Sequence, residues 1–334
     1  MGRYTHRHRA LGFQTRFSRR TYNRCVAPSV RRIESFTVVV PSYNEAATLR
    51  TNIEAIRTAL VESTPLDRWA ILVVDDASSD DTAAITAELV RQDPRIRAIR
   101  RVTNGGVDAA IRSGIDVVDS DAVVVLDADL SYHAPIAGTL VETLLREEAE
   151  VVLASAYAPG GSVHNVPKMR ALLSRWANRF LAYAVRDRIH TLTCIVRAYR
   201  TDAVKRLMAV RPTGDMTHQL VLDALHSGMR VCEIPASLDW APRRRSRMSL
   251  RAIAQRTGSV LGAAIHARPS LALVIPGLVP GLLPLAIALA IWAHASAIQV
   301  GIVASTTFAI QTASLVVFGF HSTNFALRAL RKDS

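Results

Sequence analysis

Short, uninterrupted apolar runs rich in β-branched residues recur along the first half of the chain, separated by helical patterns, and they stop abruptly at polar groups. "FTVVV" (36–40) stops at Pro41, Ser42, Tyr43, Asn44 and Glu45; "AILVV" (70–74) at Asp75 and Asp76; "AVVVL" (122–126) runs into Asp127 and Asp129. A strand apolar at every position must be covered on both faces, which a parallel sheet between two helical layers provides. The pattern predicts strands at 36–40, 70–76, 96–100, 122–130 and 151–157. Helices are expected over 45–61, 80–91, from "NGG" (104–106) onward, and over 134–148. A flexible loop is expected at 158–167, "APGGSVHNVP", then a helix at 168–186 and a last α/β stretch ending near "VCEIP" (231–235). The fold class is α/β, a mostly parallel sheet with helices on both faces, occupying 35–241.

The net charge of +13 is unevenly placed. Nine arginines lie between Arg3 and Arg32 with no acid before Glu34, and six more between Arg243 and Arg256, so these two segments exceed the whole net excess. Residues 1–34 therefore read as a basic arm and 242–268 as a basic amphipathic juxtamembrane segment. The arm has no apolar h-region and is no secretory signal. Residues 271–292 and 297–320 contain no charged side chain, and the first stretch would span about 33 Å as a helix, enough for a bilayer core. With "HASA" (294–297) between them they predict a transmembrane hairpin within 269–334. The flanking Arg328, Arg331 and Lys332 place both termini and the large domain on the cytoplasmic side of a cell membrane. Cys25, Cys194 and Cys232 have no metal-ligand spacing and indicate a reducing compartment. Aromatic residues make up only 6% of the chain, which argues against a nucleic-acid platform.

In open α/β sheets ligands bind beyond the carboxyl ends of the strands. Three strands here carry polar groups at that edge. Asp127 and Asp129 are two apart and would share one face if the strand continued through them. Two such carboxylates repel unless a cation lies between them, and a hard divalent ion, Mg2+ or Mn2+, sharing its shell with phosphate oxygens suits the pair. Neither a G-x-G-x-x-G nor a P-loop follows the first strand, so a dinucleotide fold and a P-loop nucleotidase are unsupported. The acid pattern of a receiver domain is also a poor match, because a complete strand precedes the double acid and no strand ends in lysine.

Taken together, "VVVPSYNE", "LVVDDASSDDT", "NGGVDAAIRSGID" and "VVVLDADL" resemble the family 2 glycosyltransferases of GT-A fold over residues 36–240. With the apolar hairpin, the chain is similar to polyprenyl-phosphate glycosyltransferases, relatives of dolichol-phosphate mannose synthase. The resemblance implies a nucleotide-sugar donor, a divalent metal and a polyprenyl-phosphate acceptor at the membrane. It implies Pro41, Tyr43, Glu45, Asp76 and Asp127 as nucleotide contacts, and Asp127 and Asp129 as catalytic and metal-binding residues. For the acceptor phosphate it nominates Arg170 and Ser174 in "RALLSRWAN", with Asn178 on the same helix face, Arg197 in "VRAYR", and Arg247 beside Ser246 in "RRRSRMSL". The expected reaction is an inverting single displacement, in which an anionic acceptor needs no strong base. A hydroxyl acceptor would need one, and Asp215 and Asp223 are candidates.

The pattern also departs from the family. "ASAY" (154–157) replaces a G-S-R, Ser131 stands where Gln is frequent, and Thr191 stands where an acid is usual. These departures keep two alternatives open: another membrane lipid as acceptor, or an inactive nucleotide-sugar-binding subunit. Oligomeric state is not readable, a homo-oligomer being compatible with the sequence.

Overall fold

A computed structural model of the chain describes residues 32–185, 189–210 and 218–240, together with helical positions 260, 262 and 264. The basic arm up to residue 31, Asp215, Ser246, Arg247 and the two charge-free stretches lie outside the described residues. Among the described residues no helix is long and apolar enough to cross a membrane.

The chain alternates as the apolar runs demand. β1 (Ser35–Ser42), α1 (Leu49–Ser63), β2 (Arg68–Asp75), α2 (Thr82–Gln92), β3 (Ile96–Arg100), α3 (Val107–Val117), β4 (Ala122–Val125), α4 (Ile136–Arg146) and β5 (Val151–Ser155) come first. They are followed by β6 (Ser162–His164), α5 (Lys168–Val185), β7 (Arg197–Arg200), α6 (Thr201–Val210), α7 (His218–His226), β8 (Val231–Pro235) and β9 (Ser237–Asp239). Seven strands form one sheet in the order β3-β2-β1-β4-β7-β5-β8, with β7 antiparallel to both its neighbours and every other pairing parallel.

Successive side chains of a strand point to opposite faces, and the two cores follow that rule. Val38, Val40, Ile71, Val73 and Val124 pack with Leu49, Ile53 and Ile56 of α1 and Leu140, Val141 and Leu144 of α4. Val39, Leu72, Val74, Val123 and Val125 pack on the other side with Ile111 and Ile115 of α3, Leu181 of α5 and Val204 of α6. Gly114 of α3 sits so close to the sheet that a Cβ there would come 2.5 Å from Val39 Cγ1 and 3.0 Å from Val74 Cγ2. Val260 and Ala264, one helical turn apart, are buried against the second core.

The entry to β1 is fixed by Asp121. Its carboxylate accepts from Glu34 N at 3.0 Å, Ser35 N at 3.1 Å and Ser35 Oγ at 2.9 Å. Burial alone would raise its pKa; these hydrogen bonds and the Arg68 charge outweigh that and hold the carboxyl below its ordinary value.

Three expectations are corrected. β4 ends at Val125 instead of continuing to 130, because the chain turns over Asp127–Leu130, with Leu130 at φ 48°. β5 likewise stops at Ser155. The stretch 158–167 is not all loop: β6 pairs in parallel with β9, a ribbon held to the main fold where Tyr132 bridges Leu238.

Candidate active site

In the sheet order, β1 leads outward to β2 and β3, whereas β4 starts the other half. The crevice of the fold therefore lies where the loops after β1 and β4 part. Pro41 is buried near the end of β1. Val39 O accepts from Leu126 N at 3.1 Å, so by alternation Pro41 faces the same side, where β4 has already ended. Its missing N–H thus breaks no ladder bond.

The loops after β1 and β2 are laced together. Asn44, at φ 54°, donates from N to Ser78 Oγ at 3.0 Å, and its Oδ1 accepts from Ser79 N at 2.9 Å. Glu45 N donates to Thr82 Oγ1 at 2.9 Å, and Ala46 N to Asp80 Oδ2 at 3.2 Å. Desolvation raises the Asp80 pKa, but bonds from Thr82 and Ala46 outweigh it and hold the carboxyl below its ordinary value. The lacing leaves Tyr43 48% exposed and Glu45 half-buried at the rim.

Asp76, expected as a nucleotide contact, is engaged within the protein. It is 2% exposed, and its carboxylate accepts from Gly105 N at 3.1 Å and Gly106 N at 2.7 Å and is paired with Arg101. Here it anchors the loop that opens α3. Gly106, at φ 82°, is the residue that lets this backbone turn its amides onto the acid.

Asp127 and Asp129 come together through a turn instead of a strand. Leu130 N donates to Asp127 O at 3.1 Å and closes it. Ser131 then ties both acids: its Oγ donates to Asp127 Oδ2 at 2.8 Å and its N to Asp129 Oδ1 at 3.2 Å. Asn52 of α1 holds the turn from beneath, donating from Nδ2 to Ala128 O at 2.7 Å. Both residues are half-buried. Among the described residues no group of three or more His, Cys, Asp or Glu gathers into a closed metal cage. Two accessible carboxylates on one turn match a hard divalent ion that completes its shell with phosphate oxygens and water, and in that sense the residues fit Mg2+ or Mn2+.

Beneath this turn Tyr132 and Cys194 are buried. Burial raises both groups, the thiol to about 11, so both are held neutral at physiological pH.

The expected acceptor residues divide. Arg170 and Ser174 are half-buried on α5. Asn178 is 1% exposed: its Oδ1 accepts from Leu192 N at 2.7 Å and Thr193 N at 3.0 Å, and its Nδ2 donates to Ser174 O and Thr193 Oγ1. It clamps the 192–193 segment to α5 and presents no face to a ligand. Arg197, 0% exposed within β7, donates to Leu192 O at 2.8 Å and Tyr199 Oη at 3.3 Å, supporting the site from inside the sheet instead of lining an open surface. Thr191, noted above as a departure from the family pattern, pairs its hydroxyl with Ser155 Oγ at 2.7 Å and fixes the end of β5. Asp223 lies on α7 beside a hollow shared with Leu207, Val210 and His226.

α5 shows a face that sequence reading had not assigned. Met169, Leu172, Leu173, Trp176 and Tyr183 are exposed, and the Trp176 and Phe180 rings stack at 5.4 Å. Their spacing puts them on one helical stripe. Lys168, Arg175 and Arg179 border it, and the helix contains no acid. The Arg175 guanidinium lies 5.6 Å from the Tyr157 ring centroid, just beyond β5.

The sheet order and the acidic turn at its crevice are those of a sugar-transferring α/β enzyme. The family model for glycosyl transferase family 2 matches residues 37–208, more than half of the chain, and the protein belongs to that family: it is a glycosyltransferase of GT-A fold. It is 32% identical over 228 residues to the polyprenol monophosphomannose synthase of Mycolicibacterium smegmatis, across 66% of this chain and 83% of that protein. It is 28% identical over 238 residues to the undecaprenyl-phosphate mannosyltransferase of Micrococcus luteus, across 68% and 89%. The fold also matches the mannosyltransferase PcManGT from Pyrobaculum calidifontis, solved with GDP-Man and Mn2+, at a TM-score of 0.56 and 19% identity over 89% of each chain.

Proposed function

We propose that this glycosyltransferase transfers a single sugar from a nucleotide-sugar donor to a polyprenyl phosphate at a membrane surface, with Mg2+ or Mn2+ at Asp127 and Asp129. The observation that carries the lipid acceptor is α5. One helix bears both Arg170 and Ser174 and an exposed apolar stripe bordered by cations without a single acid. Such a helix suits the boundary between acyl chains and anionic headgroups, the depth at which a lipid phosphate sits. The two charge-free stretches at 271–292 and 297–320 supply the anchor in this reading, with the domain on the cytoplasmic side. The sugar is mannose, the one named in the relatives at 32% and 28% identity.

Tyr43 and Glu45 line the nucleoside, Pro41 shapes the strand end beneath them, and Asp76 holds the neighbouring loop. A divalent ion bound to Asp127 and Asp129 would neutralise charge developing on the leaving diphosphate. Arg170 and Ser174 orient the acceptor phosphate, already an anion near neutral pH, for in-line attack on the anomeric carbon. Attack in one step inverts that carbon, and no residue of the chain is needed as a strong base. Arg247 meets the same phosphate or a neighbouring headgroup.

The test is transfer by the full chain in nanodiscs. GDP-mannose and UDP-glucose are offered with undecaprenyl phosphate, or with diacylglycerol as the competing lipid, with Mn2+ and with a chelator. Mannosyl undecaprenyl phosphate formed with Mn2+ and lost with chelator supports the reading. Transfer to diacylglycerol alone, or donor binding without transfer to either lipid, overturns it.

A further inference from the structure

The segment "ASLDW" (236–240) carried no functional expectation, yet it joins the two halves of the site. Asp239 N donates to Ser131 O at 2.8 Å and Leu238 bridges Tyr132, so β9 is bound to the chain that closes the acidic turn. At the end of β9, Trp240 N donates to His164 O at 3.1 Å, and Asn165 Nδ2 donates to Asp239 Oδ1 at 2.7 Å. Over the indole fixed in this way lies the Arg170 guanidinium, its Cζ 3.9 Å from the ring centroid.

We propose that Trp240 is a positioning residue: its indole face seats Arg170 in fixed register with the Asp127–Ser131 turn, so that the acceptor phosphate meets the donor at one place. The inference rests on the reading of Arg170 as a cation of the acceptor site. An arginine side chain carries much rotamer freedom, and a planar guanidinium over an indole gives up most of it. Stacking uses the face of the guanidinium, and its planar fork of N–H groups is the geometry that grips phosphate oxygens. The path Asp127–Ser131–Asp239–Trp240–Arg170 is continuous in contacts, so a shift of the acidic turn is passed to the arginine.

The test uses the full chain in nanodiscs with GDP-mannose, undecaprenyl phosphate and Mn2+, each substrate varied in turn. Trp240→Leu is expected to raise the acceptor KM about three- to tenfold and to move the donor KM much less. Trp240→Phe recovers most of the loss. Arg170→Ala raises the acceptor KM, and adding Trp240→Leu to it brings no further rise. Arg170→Lys keeps the charge but loses the stacking plane, and should raise the acceptor KM with the donor KM little moved, a readout that stands even should leucine at 240 unseat β9. An equal further rise from Trp240→Leu in the Arg170→Ala background, or parallel changes in both KM values, overturns the positioning role. An Arg170→Ala enzyme with unchanged acceptor KM, or a parent chain that transfers nothing to undecaprenyl phosphate, overturns it at a different step, by removing the acceptor reading beneath it.

Discussion

Ser131 donates its hydroxyl to Asp127 at 2.8 Å while its backbone amide serves Asp129, so one residue sets the spacing of both acids. Removing the hydroxyl costs one charge-assisted hydrogen bond, about 1–2 kcal/mol. Ser131→Ala is expected to lower turnover about fivefold and to raise the Mn2+ concentration needed for half-maximal rate. A metal titration checks this, and an unchanged half-saturation point speaks against Ser131 as the organiser of the turn.

Asp129→Asn removes a charge and keeps the shape. Transfer should fall by at least about a thousandfold, and thermal unfolding of the full chain should stay close to that of the parent because the residue is only partly buried. Chelation of the parent should reproduce the loss, and added Mg2+ or Mn2+ should restore it. Activity surviving in Asp129→Asn would take that residue out of the metal site.

Asn178 offers a contrast within the same helix. Its side chain satisfies Leu192 N and Thr193 N from a buried position. Asn178→Ala leaves those amides without their partner and should cost about 2–4 kcal/mol of stability. Ser174→Ala should instead change stability by less than about 0.5 kcal/mol and raise the acceptor KM. Denaturant unfolding of the two variants separates the clamp from the ligand contact.

Gly114→Ala tests the close approach of α3 to the sheet. The added methyl meets Val39 and Val74 inside contact distance, one of them at 2.5 Å. Overpacking of this kind should cost about 1–3 kcal/mol, read as a lower midpoint of thermal unfolding with the reaction's metal dependence unchanged.

Asp121 and Asp80 predict the direction of acid sensitivity. Both carboxyls are held below the ordinary value of 3.8 in the folded protein. A depressed folded pKa adds stability that is present above the unfolded value and is lost as pH falls through the folded one. Stability should therefore decline as the pH drops below about 4. Asp121→Asn should flatten that decline and lower stability at pH 7, as unfolding series at pH 3 and pH 7 would register.

The central strands were legible because, Thr37 apart, apolar residues fill their middles; such runs allow few placements other than a doubly covered sheet. β7 was not, since "RAYR" shows a charge at each end and only the fold reveals that Arg197 is sealed inside. β6 and β9 pair across 75 residues and contain no apolar run, so local pattern had nothing to report. Asp127 and Asp129 were found for a geometry that does not occur: "LDADL" reads as strand, while the chain turns at Leu130. The engagement of Asp76 could have been suspected from "NGG", since two glycine amides at a helix start attract any nearby anion, a side chain of the same protein included. Trp240 left no trace in the sequence, because its meaning comes from the ribbon that carries it.

The reversed direction of β7 has a further effect. Lying between β4 and β5, it holds their carboxyl ends two strand spacings apart, roughly 10 Å, and presents its own amino end in the gap. The crevice thus has two banks raised on separate loops, Asp127–Ser131 on one and Tyr157 with α5 on the other, tied together through β9. In the proposed reading, substitutions on the far bank would therefore change the recipient molecule, and those on the near bank the hold on the activated sugar.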